Sequence, residues 1–176
     1  MNKLIMLYGF AASGKTTLTK KYIKESLLTI GIEGDEIIRM IGKWRKEETV
    51  ARQLVFEHTK SIAAKHLEAG YDVIIPYLLN ESGDAETFSE IALKNKAKFI
   101  EIYIKLEKED AVNRLIERGC WGEEGSRQLT EADRDELENR FDYMTNVMKQ
   151  RPKIISIKSE KDNVSSTYDF FINEIN

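Results

Sequence analysis

Cysteine, long apolar segments and an excess of positive charge are all missing from this sequence, and each absence excludes a class of protein. The single cysteine, Cys120, excludes an intramolecular disulfide and a multi-cysteine zinc site. No apolar run approaches the roughly 20 residues that span a bilayer, so we expect no membrane association. The formal net charge of −3 and the pI of about 5.6 argue against a nucleic-acid-coating protein, because phosphate contacts require a basic surface.

The composition is typical of one ordinary globular domain. The chain has 176 residues, of which 41% are hydrophobic and 32% charged, and a domain of this length can bury a core without disulfides or metals. The apolar start could pass for a signal peptide, but Lys15 and Lys20 follow soon after it, with no small-residue cleavage site. We therefore expect a single domain over residues 1–176, located in the cytoplasm, that is a monomer or a homodimer.

Apolar runs alternate with helical periodicity, which predicts an α/β protein with a parallel sheet and helices on both faces. Five strands are predicted at residues 4–8, 28–32, 71–75, 99–104 and 154–157. Helices are predicted at residues 15–26, 36–41, 47–69, 84–95, 107–118, 130–150 and 165–175. Pro76 is expected to end the third strand, and Val50, Leu54 and Leu67 fall on the apolar spacing of the third helix. The glycine-rich segment 119–129 is predicted to be a mobile loop, here called the lid.

The segment between the first predicted strand and helix carries a highly specific motif. It reads Gly-Phe-Ala-Ala-Ser-Gly-Lys-Thr and satisfies G-x-x-x-x-G-K-[ST]. Such a turn wraps its backbone N–H groups around a phosphate chain, and the helix N-terminus adds partial positive charge. We expect Lys15 to reach the β- and γ-phosphates and the Thr16 hydroxyl to bind Mg²⁺. The predicted nucleotide-binding residues of this loop are Gly9, Phe10, Ala11, Ala12, Ser13, Gly14, Lys15, Thr16 and Thr17.

Motifs of a switch GTPase or an ATPase motor are absent. The sequence contains neither D-x-x-G nor N-K-x-D, which a GTPase would use for the γ-phosphate and for guanine. A motor would carry an acid at the end of a central apolar strand. Asp72 lies instead at the start of the third strand, whereas ligands bind beyond the carboxyl ends of strands. Both classes are therefore disfavoured.

Two carboxylates, Glu33 and Asp35, follow the predicted second strand, within reach of the phosphate loop if strands one and two lie close together. Arg39 follows Asp35 by four residues, so both side chains can face one pocket. A kinase needs a group that orients or deprotonates the acceptor hydroxyl and a cation that holds the substrate. Asp35 and Arg39 supply these types. The alternative is an N-cap at Asp35 and a surface ion pair.

Two arginines, Arg114 and Arg118, lie one helical turn apart just before the lid. Phosphoryl transfer requires cations over the equatorial oxygens, and a closing loop that brings them also excludes water and suppresses ATP hydrolysis. The alternative is two exposed arginines that the helix dipole favours. Arg127 is a further lid candidate, with a solvated loop residue as its alternative.

Together, the P-loop, the acid and arginine after strand two, and Arg114-x-x-x-Arg118-Gly119 before a lid resemble the small P-loop kinases. This group includes the AAA_33 family, zeta toxin, chloramphenicol phosphotransferase, gluconate and shikimate kinases, and the polynucleotide kinase 5′-kinase domain. The resemblance extends over residues 3–150 and implies a three-layer P-loop NTPase fold with the sheet order 2-3-1-4-5. It also implies ATP·Mg²⁺ as the donor and a substrate site between the second helix and the lid.

The same resemblance implies roles for individual residues. Asp35 matches the acid that acts as a base on the acceptor hydroxyl, and Arg118 matches the lid arginine, which together with Arg114 would contact the nucleotide. Glu33-Gly34-Asp35 is similar to the Asp-x-Asp of shikimate kinases, which makes Glu33 an outer-sphere metal partner. Adenine is expected near residues 159–164.

The sequence departs from this group after strand three. Several members carry an acid or a glycine-rich turn there, whereas this chain has Pro76-Tyr77-Leu78. Tyr77 then becomes a candidate substrate-binding residue in a less polar pocket wall, and Asn80 and Glu81 are candidates for a polar role.

The leading hypothesis is an ATP-dependent kinase that phosphorylates a hydroxyl of a small metabolite or antibiotic-like molecule. Lys15, Asp35 and Arg118 are its expected catalytic residues. A nucleoside, nucleotide or polynucleotide 5′-hydroxyl kinase is an alternative, although the negative charge weakens its polynucleotide version. A third hypothesis is a regulatory module that binds ATP without catalysis, which the missing acid after strand three would favour.

Overall fold

The computed structural model describes residues 1–78, 82–122, 126–159 and 164–176. The strands are β1 Lys3–Gly9, β2 Ile30–Gly31, β3 Val73–Tyr77, β4 Lys98–Lys105 and β5 Ile155–Lys158. The α-helices are α1 Lys15–Glu25, α2 Gly34–Arg39, α3 Glu48–Glu68, α4 Ser82–Lys94, α5 Lys108–Arg118, α6 Arg134–Lys149 and α7 Val164–Ile175. Short 3₁₀ turns at Trp44–Glu47 and Glu131–Asp133 precede α3 and α6. None of the helices in the described ranges is long and apolar enough to cross a membrane.

The five strands form one parallel sheet in the order β2-β3-β1-β4-β5, which confirms the predicted topology. The central strand β1 pairs with β3 from Leu4 to Tyr8 and with β4 from Lys3 to Gly9. Because all strands run in one direction, their carboxyl ends meet at a single edge of the sheet. The turns that follow β1, β2 and β3 therefore come together at that edge.

Helices cover both faces of the sheet and complete a three-layer fold. Leu4, Met6 and Tyr8 of β1 point into a core shared with α3, α4, α5 and α6. Ile5 and Leu7 point into the opposite core, where α1 and α7 pack. Side chains alternate between the faces of a strand, so a strand covered on both sides reads as an unbroken apolar run. This double burial explains why β1 could be recognised from sequence.

The prediction that Pro76 ends the third strand is wrong, because β3 continues through it to Tyr77. The backbone N–H of Ile32 donates to the carbonyl of Ile74, so the backbone polar groups of Ile74 face β2. Alternate residues of a strand face the same neighbour, and the backbone nitrogen of Pro76 therefore also faces the β2 side. The β2 strand, at two residues, is shorter than the predicted 28–32 and ends before the level of Pro76. A proline is tolerated there because no ladder hydrogen bond needs its N–H.

The third helix buries a different face from the one that its larger apolar residues indicate. The buried residues include Ala51, Ala63 and Leu67, and of these the apolar spacing had indicated only Leu67. Val50 and Leu54, which the spacing also indicated, are 50% and 42% exposed. Apolar residues occur on more than one side of α3, so periodicity alone could not identify the buried face. Ala63 and Leu67 belong to the core that packs on the sheet, and the small Ala63 allows the helix to approach it closely.

A nearly buried ion pair connects the end of α6 to the sheet. The Arg151 guanidinium donates to the Glu101 carboxylate of β4 at 2.5 Å and to Glu86 of α4 at 3.1 Å. The side chains of Arg151 and Glu101 are only 11% and 10% exposed. A buried carboxylate without its cation is strongly unfavourable. Arg151 is therefore expected to contribute to stability through the charge that it neutralises.

We predict that Arg151→Met lowers the free energy of unfolding by about 3 kcal/mol, because it leaves the Glu101 carboxylate buried without a cation. Urea denaturation followed by circular dichroism measures this change. Lys65→Met is the matched control, since Lys65 is 82% exposed in its pair with Glu68 and should give no measurable change. Equal midpoints for the two variants would contradict the prediction.

Candidate active site

A cavity of about 910 Å³ lies beyond the carboxyl ends of β1, β2 and β3. The P-loop and the first turn of α1 form one side of it. The start of α2, the inner side of α3 and the end of β3 form the opposite side, and the end of α5, the lid and α6 supply further residues. The P-loop and Asp35 therefore lie in a single cavity, because the turns after β1 and β2 come to the same edge of the sheet.

The P-loop makes a tight turn between β1 and α1. Gly14 has φ +96° and Ala12 has φ +60°, both in the left-handed region, and Leu18 N–H donates to the Gly14 carbonyl to begin the helix. At Gly9, a Cβ atom would lie 3.2 Å from the Ile104 carbonyl oxygen. Successive residues of opposite hand form the kind of backbone concavity that binds anions. The geometry is that of a phosphate-binding turn at a helix N-terminus.

Lys15 lies over this turn. Its ammonium Nζ donates to the carbonyl oxygens of Gly9 at 2.6 Å and Phe10 at 2.9 Å. Burial lowers the pKa of the Lys15 ammonium to about 8, while the Asp35 carboxylate raises it and Arg118 lowers it. All three groups line the same cavity. Asp35 and Arg118 are thus close enough to Lys15 to act on its pKa.

Thr16 and Glu33 meet next to Lys15. The Thr16 hydroxyl donates to the Glu33 carboxylate across 3.2 Å, and both residues line the cavity. A hydroxyl beside a carboxylate offers oxygen donors, which suit Mg²⁺ with its retained waters and phosphate ligands. Within the described ranges there is no cluster of three or more His, Cys, Asp or Glu side chains that could hold a metal without other ligands. The residues present therefore fit a metal that shares its ligands with a nucleotide.

Asp35 faces the cavity, whereas Arg39 does not. Asp35 lies in the first turn of α2, and Glu33 occupies the N-cap position without a side-chain capping bond. The alternative assignment of Asp35 as an N-cap is therefore wrong. Arg39 pairs with Glu36 across 3.0 Å and is not among the lining residues. The expectation that Arg39 shares the pocket of Asp35 fails because Glu36, one turn before Arg39, binds its guanidinium on the helix surface.

Of the three arginines predicted near the lid, only Arg118 lines the cavity. Its guanidinium packs on Gly122, where an added Cβ would overlap Nη2 and lie 2.8 Å from Cζ. Arg114 lies outside the lining, and its buried Nε has no hydrogen-bond partner among the described residues. Arg127 also lies outside it and pairs with Asp133 at 2.5 Å.

Sequence reasoning missed one aromatic and one charged residue of the lid side. Trp121 lines the cavity, and its ring lies edge-on to that of Phe10 in the P-loop, with centroids 6.0 Å apart. The Arg140 guanidinium of α6 lies 5.1 Å from the Trp121 ring centroid, donates to Glu136 and also lines the cavity. An aromatic residue in a glycine-rich loop was an available signal for Trp121. Arg140 gave none, because only the packing of α6 brings it to the site.

Arg52 of α3 is a third lining residue that the sequence did not indicate. It donates to Glu48 at 2.7 and 2.9 Å, and its guanidinium lies 6.0 Å from the Trp44 ring centroid. In sequence, Glu48 and Arg52 form an i,i+4 pair of the type found on any helix surface. The packing of α3 next to α2 brings Arg52 of this pair into the cavity wall, whereas Glu48 does not line the cavity.

Tyr77 lies in the cavity wall, as predicted, together with Pro76 and Leu78. The Tyr77 hydroxyl donates to the Asp84 carboxylate of α4 at 2.7 Å. The polar roles suggested for residues 80 and 81 lie outside the described residues. The same applies to residues 160–163 of the expected adenine segment, whereas Ser159 N–H donates to the Lys105 carbonyl at the end of β4.

Comparison with known proteins agrees with this geometry. The AAA_33 family model, described as an AAA domain, matches residues 4–144, which is most of the chain. The chain belongs to the AAA_33 family. This membership confirms the resemblance to small P-loop kinases that the P-loop, Asp35 and Arg118 suggest. No curated protein matches this AAA_33 chain.

Solved structures share the fold of the AAA_33 chain at low sequence identity. A chain of the Pnkp1/Rnl/Hen1 RNA repair complex has a TM-score of 0.67 and 14% identity, covering 86% of this chain and 47% of its own. The tunicamycin resistance protein of Deinococcus radiodurans has a TM-score of 0.65 and 11% identity, and the match covers 100% of this chain and 96% of that protein. A gluconokinase from Sinorhizobium meliloti 1021 has a TM-score of 0.62 and 10% identity, and the match covers 98% of this chain and 95% of that protein. At these identities the likeness establishes a P-loop kinase-like fold.

We predict that the affinity for ATP falls as the pH rises through about 8, because phosphate binding needs the Lys15 ammonium and that group loses its proton near pH 8. Below this pH the Lys15 amine of the free protein is already protonated, so the affinity for ATP should not change with pH. Well above it, the dissociation constant should rise by about tenfold per pH unit. Isothermal titration calorimetry between about pH 7 and about pH 9.5 measures it.

Lys15→Arg is the control for this pH dependence, since a guanidinium stays charged over the whole range. Its affinity, whatever its absolute value, should not change with pH. A wild-type dissociation constant that stays flat up to about pH 9.5 would contradict the assignment of Lys15.

Proposed function

We propose that this protein is an ATP- and Mg²⁺-dependent kinase that transfers the γ-phosphoryl group to a hydroxyl of a small molecule. One observation carries the proposal: Lys15, Asp35 and Arg118 line a single cavity, and both Asp35 and Arg118 act on the pKa of the Lys15 ammonium. The P-loop side offers anion-binding backbone and an ammonium, and the opposite side offers a carboxylate. A donor phosphate and an acceptor hydroxyl bound on these two sides would meet within the cavity.

Each residue has a distinct part in the proposed reaction. Lys15 and Arg118 stabilise the charge on the transferred group, in the way that cations aimed at the equatorial oxygens do. Asp35 orients the acceptor hydroxyl and accepts its proton as the new O–P bond forms and the bond to ADP breaks. Thr16, backed by Glu33, would hold Mg²⁺, whose chemistry is to neutralise phosphate charge.

Two alternatives use the same cavity. The likeness to a chain of an RNA repair complex raises a polynucleotide 5′-hydroxyl as the acceptor, but the net charge of −3 disfavours a strand-binding groove. A regulatory ATP-binding module would need no acid at Asp35. The likeness to a gluconokinase favours a small-molecule acceptor.

The test is an ADP-release screen with ATP·Mg²⁺ against nucleosides, sugars, sugar acids, aminoglycosides, aryl alcohols and short 5′-hydroxyl oligonucleotides. At least one hydroxyl compound should raise ADP release well above the background. Asp35→Asn should then lower kcat with that compound by about 10²- to 10⁴-fold with little change in ATP affinity, since a general base is lost.

Glu36→Gln is the matched control for Asp35→Asn. Glu36 is the next residue of α2, is 57% exposed in its pair with Arg39, and does not line the cavity. Its variant should keep full activity. Full transfer by Asp35→Asn would remove the carboxylate from the mechanism, and tight ATP binding with no stimulation by any compound would favour the regulatory module.

We further predict that Gly122→Ala lowers kcat by about tenfold or more, because the added Cβ would displace the Arg118 guanidinium. Gly119→Ala is the matched control. Gly119 has φ +76° and Gly122 has φ +104°, so both variants carry left-handed strain, but nothing lies within 4 Å of a Cβ at Gly119. Steady-state kinetics with the acceptor found in the screen distinguishes them, and equal losses in both would contradict the role of the Arg118 contact.

A further inference from the structure

The side of the cavity opposite the P-loop is largely apolar. Besides Asp35, the residues of α2, α3 and β3 that line it are mostly hydrocarbon or aromatic side chains. We call the following set the acceptor wall: Ile38, Val55, Phe56, Pro76, Tyr77 and Leu78. Leu78 is 36% exposed, so the wall continues to the cavity rim. An apolar wall of this kind gains from contact with the apolar surface of a ligand.

The polar groups among these residues are already bound to other parts of the protein. The Thr59 hydroxyl donates to the Val55 carbonyl at 2.8 Å, and the Tyr77 hydroxyl donates to Asp84 at 2.7 Å. Arg52 donates to Glu48. A sugar or sugar acid must exchange the water around each of its hydroxyls for protein partners, and unpaired hydroxyls in a closed site weaken binding. Among the residues that the structure describes, the wall offers few such partners.

The charges of the cavity leave little need for a charged acceptor. Among the described lining residues, four side chains are positive and two are carboxylates, but Arg52 and Arg140 are paired with Glu48 and Glu136, which lie outside the lining. The remaining cations, Lys15 and Arg118, balance Glu33 and Asp35. ATP with one Mg²⁺ already brings about two net negative charges to this balanced set. An anionic acceptor would add to that charge, and a charged group of either sign against the acceptor wall would lose its hydration without gaining a partner.

We infer that the acceptor is an uncharged alcohol whose hydroxyl is attached to an apolar, ring-bearing body. The hydroxyl would lie at Asp35 and the apolar body against the acceptor wall. This inference rests on the proposed function, because it names the substrate class of the same site. It excludes polyols, sugar acids and nucleic-acid strands as the preferred acceptors.

The experiment measures binding separately from catalysis. Phenylpropanol is the apolar probe, and sorbitol and gluconate are the polar probes. Ligand-detected NMR with the full chain in the presence of ADP·Mg²⁺ gives their dissociation constants, and ADP release with ATP·Mg²⁺ gives turnover. Phenylpropanol should bind at least about tenfold more tightly than either polar probe.

Variants of α3 locate the binding to the acceptor wall. Val55→Asn places an amide on the wall and should weaken phenylpropanol binding by about three- to tenfold. Leu54→Asn is the matched control, because Leu54 is the neighbouring residue of the same helix, is 42% exposed and does not line the cavity. Leu78→Asn at the rim is a second test variant in case Val55→Asn does not fold. Phenylpropanol binding should be unchanged in Leu54→Asn.

The outcomes separate this inference from the proposed function. Phenylpropanol binding that is tighter than that of the polar probes, and that the wall variants weaken and Leu54→Asn does not, supports the inference whether or not phenylpropanol itself is phosphorylated. Absence of ADP release with every compound of the screen would contradict the kinase proposal instead. Equal or tighter binding of sorbitol or gluconate overturns the inference. So does undetectable phenylpropanol binding, or equal loss in the wall and control variants.

Discussion

The hydrogen bonds of the Lys15 ammonium to the carbonyls of Gly9 and Phe10 set the arrangement on which the rest of the site depends. They hold a cation directly over the turn that follows the most buried strand of the sheet. That strand, β1, lies between β3 and β4, so the turn occupies the middle of the carboxyl edge. Asp35 from α2 and Arg118 from the end of α5 then both act electrostatically on the same ammonium. A turn at the margin of the sheet would have neighbouring strands on one side only.

Much of the fold could be predicted because its signals are local. The double burial of β1 produces an unbroken apolar run, that of β4 a run interrupted only by Glu101, and the P-loop motif specifies both a turn and the start of α1. Once strands and helices alternate, the handedness of parallel connections leaves few possible topologies. The placement of Asp35 at the carboxyl edge followed from the same reasoning, since residues after parallel strands lie at one edge. Its reach to the P-loop was predicted only on the condition that strands one and two lie close together, and the sheet order places β3 between them.

The parts that could not be predicted depend on tertiary contacts. Arg39 and Arg52 each have an acid nearby on their own helix, and only the packing of α2 against α3 decides that Arg52 reaches the cavity. Arg114 and Arg140 also differ in whether they line the cavity, because the packing of α6 brings Arg140 to Trp121 at the site. Proline by itself signals the end of a strand, but β2 ends before Pro76, so no hydrogen bond is lost where Pro76 lacks an N–H. In each case the residue type was informative and its neighbours decided the outcome.

The placement of the two tryptophans has a spectroscopic consequence. Trp121 lines the cavity under Arg140, and Trp44 lies near Arg52, which lines the opposite side. The chain contains no other tryptophan. Indole emission depends on nearby charge and hydration, so the tryptophan fluorescence of this protein originates at two positions, one in the cavity wall and one next to a residue of that wall. Under the proposed function, Trp121 would report on the nucleotide side and Trp44, through Arg52, on the acceptor side, so the unlabelled chain would show in which order the two ligands bind.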